Sequence, residues 1–327
     1  MSSAMRRRTA SGQKMGSKGP PALCRRSLAC SPDCPVAADG HRAYILQMQV
    51  RARIVLAFLI ALALPAQVGA ADRRFTAVSY ETKVAGMTVM ITDADVELDA
   101  RGYRVDIATR TAGAYGLLFR GETRTVAQGQ WAGALVAPTR YAVNGAWRGK
   151  PRRTLMDYDG GLPTLRTLDP PNENEREPVS AALQRETIDT ISAAALLARR
   201  ATLTGRCDGQ ARTFDGRRLV EVAAVTGGME TLAADESPVA GPVLRCDFEA
   251  RLLAGFMLDG DREAAARPQK GTAWLARVGP NAPLLPVRIR FDIRWLGSAT
   301  MVLTSARVDG APTVRQRADA DISPLRR

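Results

Sequence analysis

The sequence predicts a mainly β protein: one strongly curved antiparallel sheet, either a half-barrel or a closed barrel, with a single short α-helix. Three observations carry this expectation. Period-two alternation of apolar and polar residues recurs through most of the chain after residue 74. The alternating runs are short and bounded by Gly, Pro, Asn and Asp turns. Only one stretch, Thr190–Arg200, repeats its apolar residues at helical spacing. About a dozen such strands could not lie flat without exposing long edges, so curvature is expected.

The elements follow an export signal. Met48–Ala71 reads MQVRARIVLAFLIALALPAQVGAA, with Arg51 and Arg53, an apolar run from Ile54 to Leu64, and small residues Val68 and Ala70 at the −3 and −1 positions of a cleavage site. This is the layout of a secretory signal peptide, and it places the mature chain in the periplasm. The apolar run is shorter than the ~20 residues of a membrane span, so no integral membrane segment is expected after cleavage. The expected organisation is a basic extension over 1–47, a signal over 48–70, one β-rich domain over 71–310 and a polar tail over 311–327. The extension reads as disordered and is most simply explained by translation starting at Met48; the competing reading is a basic arm for nucleic acid or acidic lipid. Cys24, Cys30 and Cys34, followed by His41, lack a second finger-like pair and are not expected to bind metal.

Composition narrows the chemistry. Residues 1–71 carry a net charge of +8 and the whole chain +13, which leaves +5 for the body. The basicity belongs mostly to the part removed, so nucleic acid is not an expected partner. His41 is the chain's single histidine, so the mature body has none. That removes Ser-His-Asp and Cys-His catalysis and most zinc sites, and the expectation is a non-enzyme without a cofactor. Cys207 and Cys246 are the only cysteines after the signal. In an oxidising compartment they are expected to pair, a link worth roughly 3–4 kcal/mol in the chain-entropy model.

In chain order, Phe75–Val84 and Met87–Leu98 read as strands around Gly86. Tyr103–Thr111 alternates cleanly, and Leu117–Ala127 is expected as a fourth strand. A loop over 131–138 leads to strands at Thr139–Ala146 and Arg152–Tyr158, and Asp169–Glu186 is a long polar loop. Asp189 is placed to cap the helix, because its carboxylate can accept the free amides of the first turn. Asp215-Gly216 is expected to form a two-residue type I′ hairpin turn before a return strand, Arg217–Val225. Strands follow over 242–252, 272–278, Val287–Leu296 and Thr300–Val308. In Val287–Leu296, Ile289, Phe291, Ile293 and Trp295 share one face, and Arg288, Arg290 and Arg294 the other.

The body resembles a family of exported bacterial proteins known as domain of unknown function 3108. The resemblance rests on Tyr80 leading to Gly86, Gly133-Ala134-Leu135 with Pro138 and Tyr141, and Asp157-Tyr158-Asp159. Thr187-Ile188-Asp189 heading the helix, Cys207 after it, and Phe214-Asp215-Gly216-Arg217 complete it. It spans most of residues 75–308 and implies a periplasmic β-rich protein with no assigned catalytic residue. A looser likeness, of architecture alone, is to the curved-sheet carriers of bacterial lipoproteins, which bind acyl chains.

The leading functional expectation is a groove for a lipid or other hydrophobic ligand, with Trp131, Trp147, Phe291 and Trp295 as candidate contacts. Arg288, Arg290 and Arg294 form the alternative, an anion site. An envelope scaffold with a solid core and a protein partner is the second reading, and a carboxylate-based glycan hydrolase the third. An outer-membrane barrel is compatible with the alternation but lacks an aromatic girdle. Asp93, Asp95 and Glu97 share a strand face and are expected to be solvated there.

Overall fold

The computed structural model describes residues 75–233, 239–293 and 297–308. The extension 1–47, the signal 48–70 and the tail 311–327 lie outside the described residues, as do Arg294 and Trp295. In chain order the elements are β1 (Phe75–Val84), β2 (Met87–Leu98), β3 (Gly102–Thr111), α1 (Gly113–Leu118), β4 (Gly121–Ala132), β5 (Leu135–Trp147), β6 (Lys150–Asp159) and β7 (Leu162–Asp169). There follow α2 (Ala181–Gln184), α3 (Thr190–Thr204), β8 (Gly209–Phe214), β9 (Leu219–Leu232), β10 (Gly241–Ala254), α4 (Arg262–Ala266), β11 (Gln269–Arg277), β12 (Leu284–Ile293) and β13 (Gly297–Val308). The thirteen described strands form one antiparallel sheet in the order β7-β6-β5-β4-β3-β2-β1-β13-β12-β11-β10-β9-β8. It is mainly β, as expected, and the sheet does not close.

The curvature follows from what α3 touches. It contacts β3, β4 and β5 on one side and β8 and β12 on the other. In a flat sheet β5 and β8 would stand about 48 Å apart, at ~4.8 Å per strand. A helix only ~10 Å across can reach both only if the sheet wraps around it. The two edges also converge. Gly216, in the β8–β9 turn, lies so close to β6 and β7 that a Cβ there would meet Thr154 Cγ2 at 2.8 Å, and its φ is +89°. Arg217 donates to the Pro170 carbonyl at 2.8 Å beside it. Ile188 covers the free edge of β8 by pairing with Thr213, accepting from Phe214 N at 2.8 Å.

α3 is longer than its apolar stripe predicts. Asp189 caps it, accepting from Ser192 N at 2.8 Å, and Gly205 ends it in the left-handed conformation. Its Ala195, Ala198 and Ala201 are buried against the sheet. Just beyond it Cys207 is bonded to Cys246 of β10, with Cα atoms 6.0 Å apart. On the inner face of β1 to β6, Val78, Tyr80, Val96, Val105, Ala127, Tyr141 and Met156 are all buried in the core, with Ile107 and Val143 packed half-buried against it.

Four local expectations are corrected. The stretch before β4 is helical rather than extended: Gly116 N and Phe119 N donate back to Ala112 and Tyr115, closing α1, and alternation begins only at Gly121. The loop foreseen over 131–138 is a tight turn at Gly133-Ala134 between β4 and β5. A strand, β7, occupies 162–169; Pro163 masks it in the sequence and is tolerated because β7 is an edge. At Asp215-Gly216 only the glycine has a positive φ, so a type I′ turn is ruled out. Asp215 Oδ1 instead accepts from Arg217 N and Arg218 N, at 2.9 and 2.7 Å, forming an Asx turn.

The outer face of β2 to β4 is also corrected. Asp95 and Asp106 face each other across the ladder and are both fully buried, and Asp93 is nearly so. Arg124 grips Asp106 with two hydrogen bonds, at 2.8 and 2.6 Å, and Arg110 lies 3.4 Å from Asp93. Arg124 and Arg110, reaching from neighbouring strands, meet two of these carboxylates in place of water.

Two outcomes follow. Arg124→Met strands the Asp106 carboxylate with only the more distant Arg104 and should destabilise the protein by about 3 kcal/mol in urea unfolding. Replacing Cys207 and Cys246 together by Ala should cost up to about 4 kcal/mol for a loop of this length, read as the difference in unfolding midpoint from the oxidised protein.

Candidate functional site

The inner face changes character across β9 to β12. Val220 and Val222 of β9, Phe248, Ala250 and Leu252 of β10, and Phe291 and Ile293 of β12 share the inward parity, and all are only half-buried. They line two hollows. One, of about 420 Å³, is walled by Val220, Ala250, Leu252, Phe291 and Ile293, with Arg176, Arg218, Met257 and Arg267 at its rim. The other, of about 200 Å³, lies between α3 and the sheet, under Ala194, Leu197, Val222, Ala224, Phe248 and the disulfide.

The opposite parity of the same strands is polar. Arg245 pairs with Glu230 and Asp247, both at 3.0 Å, and Thr272 donates to Asp247 at 2.8 Å. Arg290 stands in that row with Asp247, Glu249 and Thr272. Arg288 lies over the Trp274 ring, 5.2 Å from its centroid. The β12 strand thus turns Phe291 inward and Arg290 outward, since period two allows one parity at a time.

The predicted ligand contacts separate in space. Phe291 stands on the wall of the larger hollow. Trp131, on β4, is held by structural contacts: its indole N–H donates to the Asp99 carbonyl at 2.9 Å, Tyr103 packs 5.1 Å away, and Arg199 lies over its ring. Trp147, on β5, fills the space over Gly121. Neither tryptophan lines these two hollows. The arginines at the larger hollow, Arg176, Arg218 and Arg267, come from the polar loop over 169–186, the β8–β9 turn and the end of α4. No periodicity marks such loop positions, and sequence reading misses them.

A buried polar node connects α3 to this rim. Tyr103 hydrogen-bonds Ser192, and Ser192 Oγ donates to Asp189 Oδ2. Asp189 and Ser192 are wholly buried. Burial pushes the Asp189 carboxyl above its ordinary pKa, opposed by its hydrogen bonds from Ser192. Burial also raises the phenols of Tyr80, Tyr103, Tyr141 and Tyr158 far above theirs. Tyr141 stands near both Asp189 and Asp215. Asp215 in turn holds Arg218, 2.7 Å away, and raises its pKa. Among the described residues no His, Cys, Asp or Glu group of three or more is arranged to hold a metal ion. No helix among them is long and apolar enough to cross a membrane.

The fold and site define a class: a cup-shaped β protein packed around one helix, with an open apolar hollow against β9 to β12. The chain belongs to the family of proteins of unknown function DUF3108, whose model matches residues 74–304. Among solved structures it is similar to a beta-barrel-like protein of domain of unknown function DUF1849 from Brucella abortus, at 14% identity and a TM-score of 0.46, over 73% of this chain and 99% of that one. It is also similar to a putative outer membrane lipoprotein-sorting protein domain from Vibrio parahaemolyticus, at 10% identity and a TM-score of 0.21, over 76% of this chain and 91% of that one. No curated protein matches.

The node has a pH signature. A carboxyl whose folded pKa lies above its unfolded value of about 3.9 keeps its proton longer in the folded state. Its contribution to stability is therefore lost as pH rises from about 4 through the folded pKa. Asp189→Asn retains an N-cap acceptor without a charge. Urea midpoints measured from pH 4 to pH 8 should show the wild type falling relative to this variant as pH rises; a gap that moved the other way would mean that the node favours the carboxylate.

Proposed function

We propose that this protein is a non-enzymatic periplasmic carrier that holds a lipid or other hydrophobic ligand on the inner face of β9 to β12. The observation that carries the reading is the cluster of half-exposed inward apolar residues, Val220, Leu252, Phe291 and Ile293, around one hollow there. Fully burying a Val, Leu, Ile or Phe side chain stabilises by roughly 1.5–3 kcal/mol. Val220, Leu252, Phe291 and Ile293 leave part of that gain unrealised, and an apolar ligand would complete it. The larger hollow, about 420 Å³, falls within the ~300–1,000 Å³ usual for small-molecule sites. The export signal over 48–70 supports the compartment, and the Cys207–Cys246 bond suits an oxidising one. The mature chain's lack of histidine supports a binding rather than a catalytic role.

Protein purified from periplasm and examined by native mass spectrometry should carry a ligand mass. Phe291→Asp should lose that mass while staying folded, and Arg290→Ser, on the outer face, should keep it. Folded protein that carries nothing and takes up nothing from a lipid extract would end the carrier reading.

A further inference from the structure

Three arginines, Arg176, Arg218 and Arg267, stand at the larger hollow, with Arg152 and Arg217 in the ion-pair network beside it, and their counter-charges are unevenly shared. Arg218 is paired with Asp215 at 2.7 Å. Glu175 serves two partners, Arg152 at 2.6 Å and Arg217 at 3.8 Å. Arg267 has Glu263 at 3.8 Å. Arg176 makes no ion pair with any carboxylate among the described residues. Its guanidinium donates to the Gly255 carbonyl at 2.8 Å, and its backbone bridges to Met257, which fixes it at the rim. Gly255 itself packs against the β8–β9 turn, where a Cβ would fall 2.1 Å from the Arg217 carbonyl.

A carbonyl satisfies one donor and leaves the charge. Arg176 is half-buried, and burial together with the neighbouring Arg218 pulls its pKa below the ordinary arginine value, opposed in part by Asp215 and Glu175. The wall beneath it is mostly apolar, Val220, Ala250, Leu252, Phe291 and Ile293, with Gln269 as its uncharged polar side chain. Asp292, the carboxylate on that lining, is exposed and sits on the outward parity of β12. A guanidinium with no carboxylate in ion-pair contact among the described residues thus stands beside an apolar wall.

We infer that the hollow takes an anionic amphiphile, with its carboxylate or phosphate headgroup on Arg176 and its alkyl chain along Val220, Leu252, Phe291 and Ile293. This rests on the carrier reading above and adds the headgroup chemistry. A guanidinium suits either headgroup because its planar donors match two oxygens at once. The wall explains why a chain must accompany the anion.

The test uses delipidated mature protein and four probes: palmitate, hexadecanol, palmitoyl lysophosphatidate and inorganic phosphate. Palmitate and lysophosphatidate should bind at least about tenfold more tightly than hexadecanol, as one charge-assisted hydrogen bond would give. Arg176→Gln should remove that preference and leave hexadecanol binding unchanged. In the wild type, added salt should weaken palmitate binding and spare hexadecanol, a comparison that stands even if the variant fails to fold. Equal binding of palmitate and hexadecanol would overturn the headgroup inference and leave the carrier reading standing. If none of the chain-bearing probes bound, the carrier reading itself would fall. Phosphate bound as tightly as lysophosphatidate would make this an anion site with no use for a chain, and equal weakening of acid and alcohol by Arg176→Gln would make Arg176 structural; either result overturns the inference.

Discussion

The buried Asp189 carboxylate fixes the one helix that shapes the interior. It accepts from the first turn of α3 through Ser192 N and Ser192 Oγ, and Ser192 in turn holds Tyr103 of β3. One side chain therefore starts the helix, sets its rotation and ties it to β3. The disulfide holds the helix's other end to β10. With both ends tied, α3 packs against β3 to β5, β8 and β12, and leaves Val220, Leu252, Phe291 and Ile293 beyond its reach only half-buried. The hollow is a consequence of where the helix is pinned, as well as of the sheet around it.

The sheet's outer face obeys a different constraint. Directly opposed like charges weaken a strand pair, yet Asp95 and Asp106 are opposed and buried. Arg124, two hydrogen bonds deep on Asp106, makes that arrangement tolerable. Such ion pairs stabilise little against apolar residues of the same size. Their effect is to hold register, since a slip of one residue would bring these carboxylates to the inner face and the valines out. The polar row of Arg245, Asp247 and Thr272 does the same on β10 and β11.

Alternation made the strands legible. The inward turn of Phe291 and the outward turn of Arg290 follow from period two alone, and the helix cap at Asp189 follows from residue type. What alternation cannot encode is which inward residues find partners. Val105 and Phe291 look alike in sequence; one meets the helix and its surroundings, the other an empty space, and only the path of α3 decides between them. Likewise Asp93 and Asp95 read as solvated because parity gives a face but not what lies over it. Arg176 was invisible for a third reason: it sits in an irregular loop whose place at the rim depends on the bridge to Met257, eighty-one residues later.

The register of the central strands also sets a direction. β1 and β13, the first and last strands, pair with Thr76 opposite Val308. At the other end of β1, Val84 stands in the same cross-strand row as Ala299 and Phe291. The row that holds the hollow is thus about 27 Å along the strand from the row where the described chain enters and leaves, at ~3.4 Å per residue. The described chain thus enters and leaves at one end of the central strands and carries the hollow's row at the other, so the first and last described residues stand clear of the site.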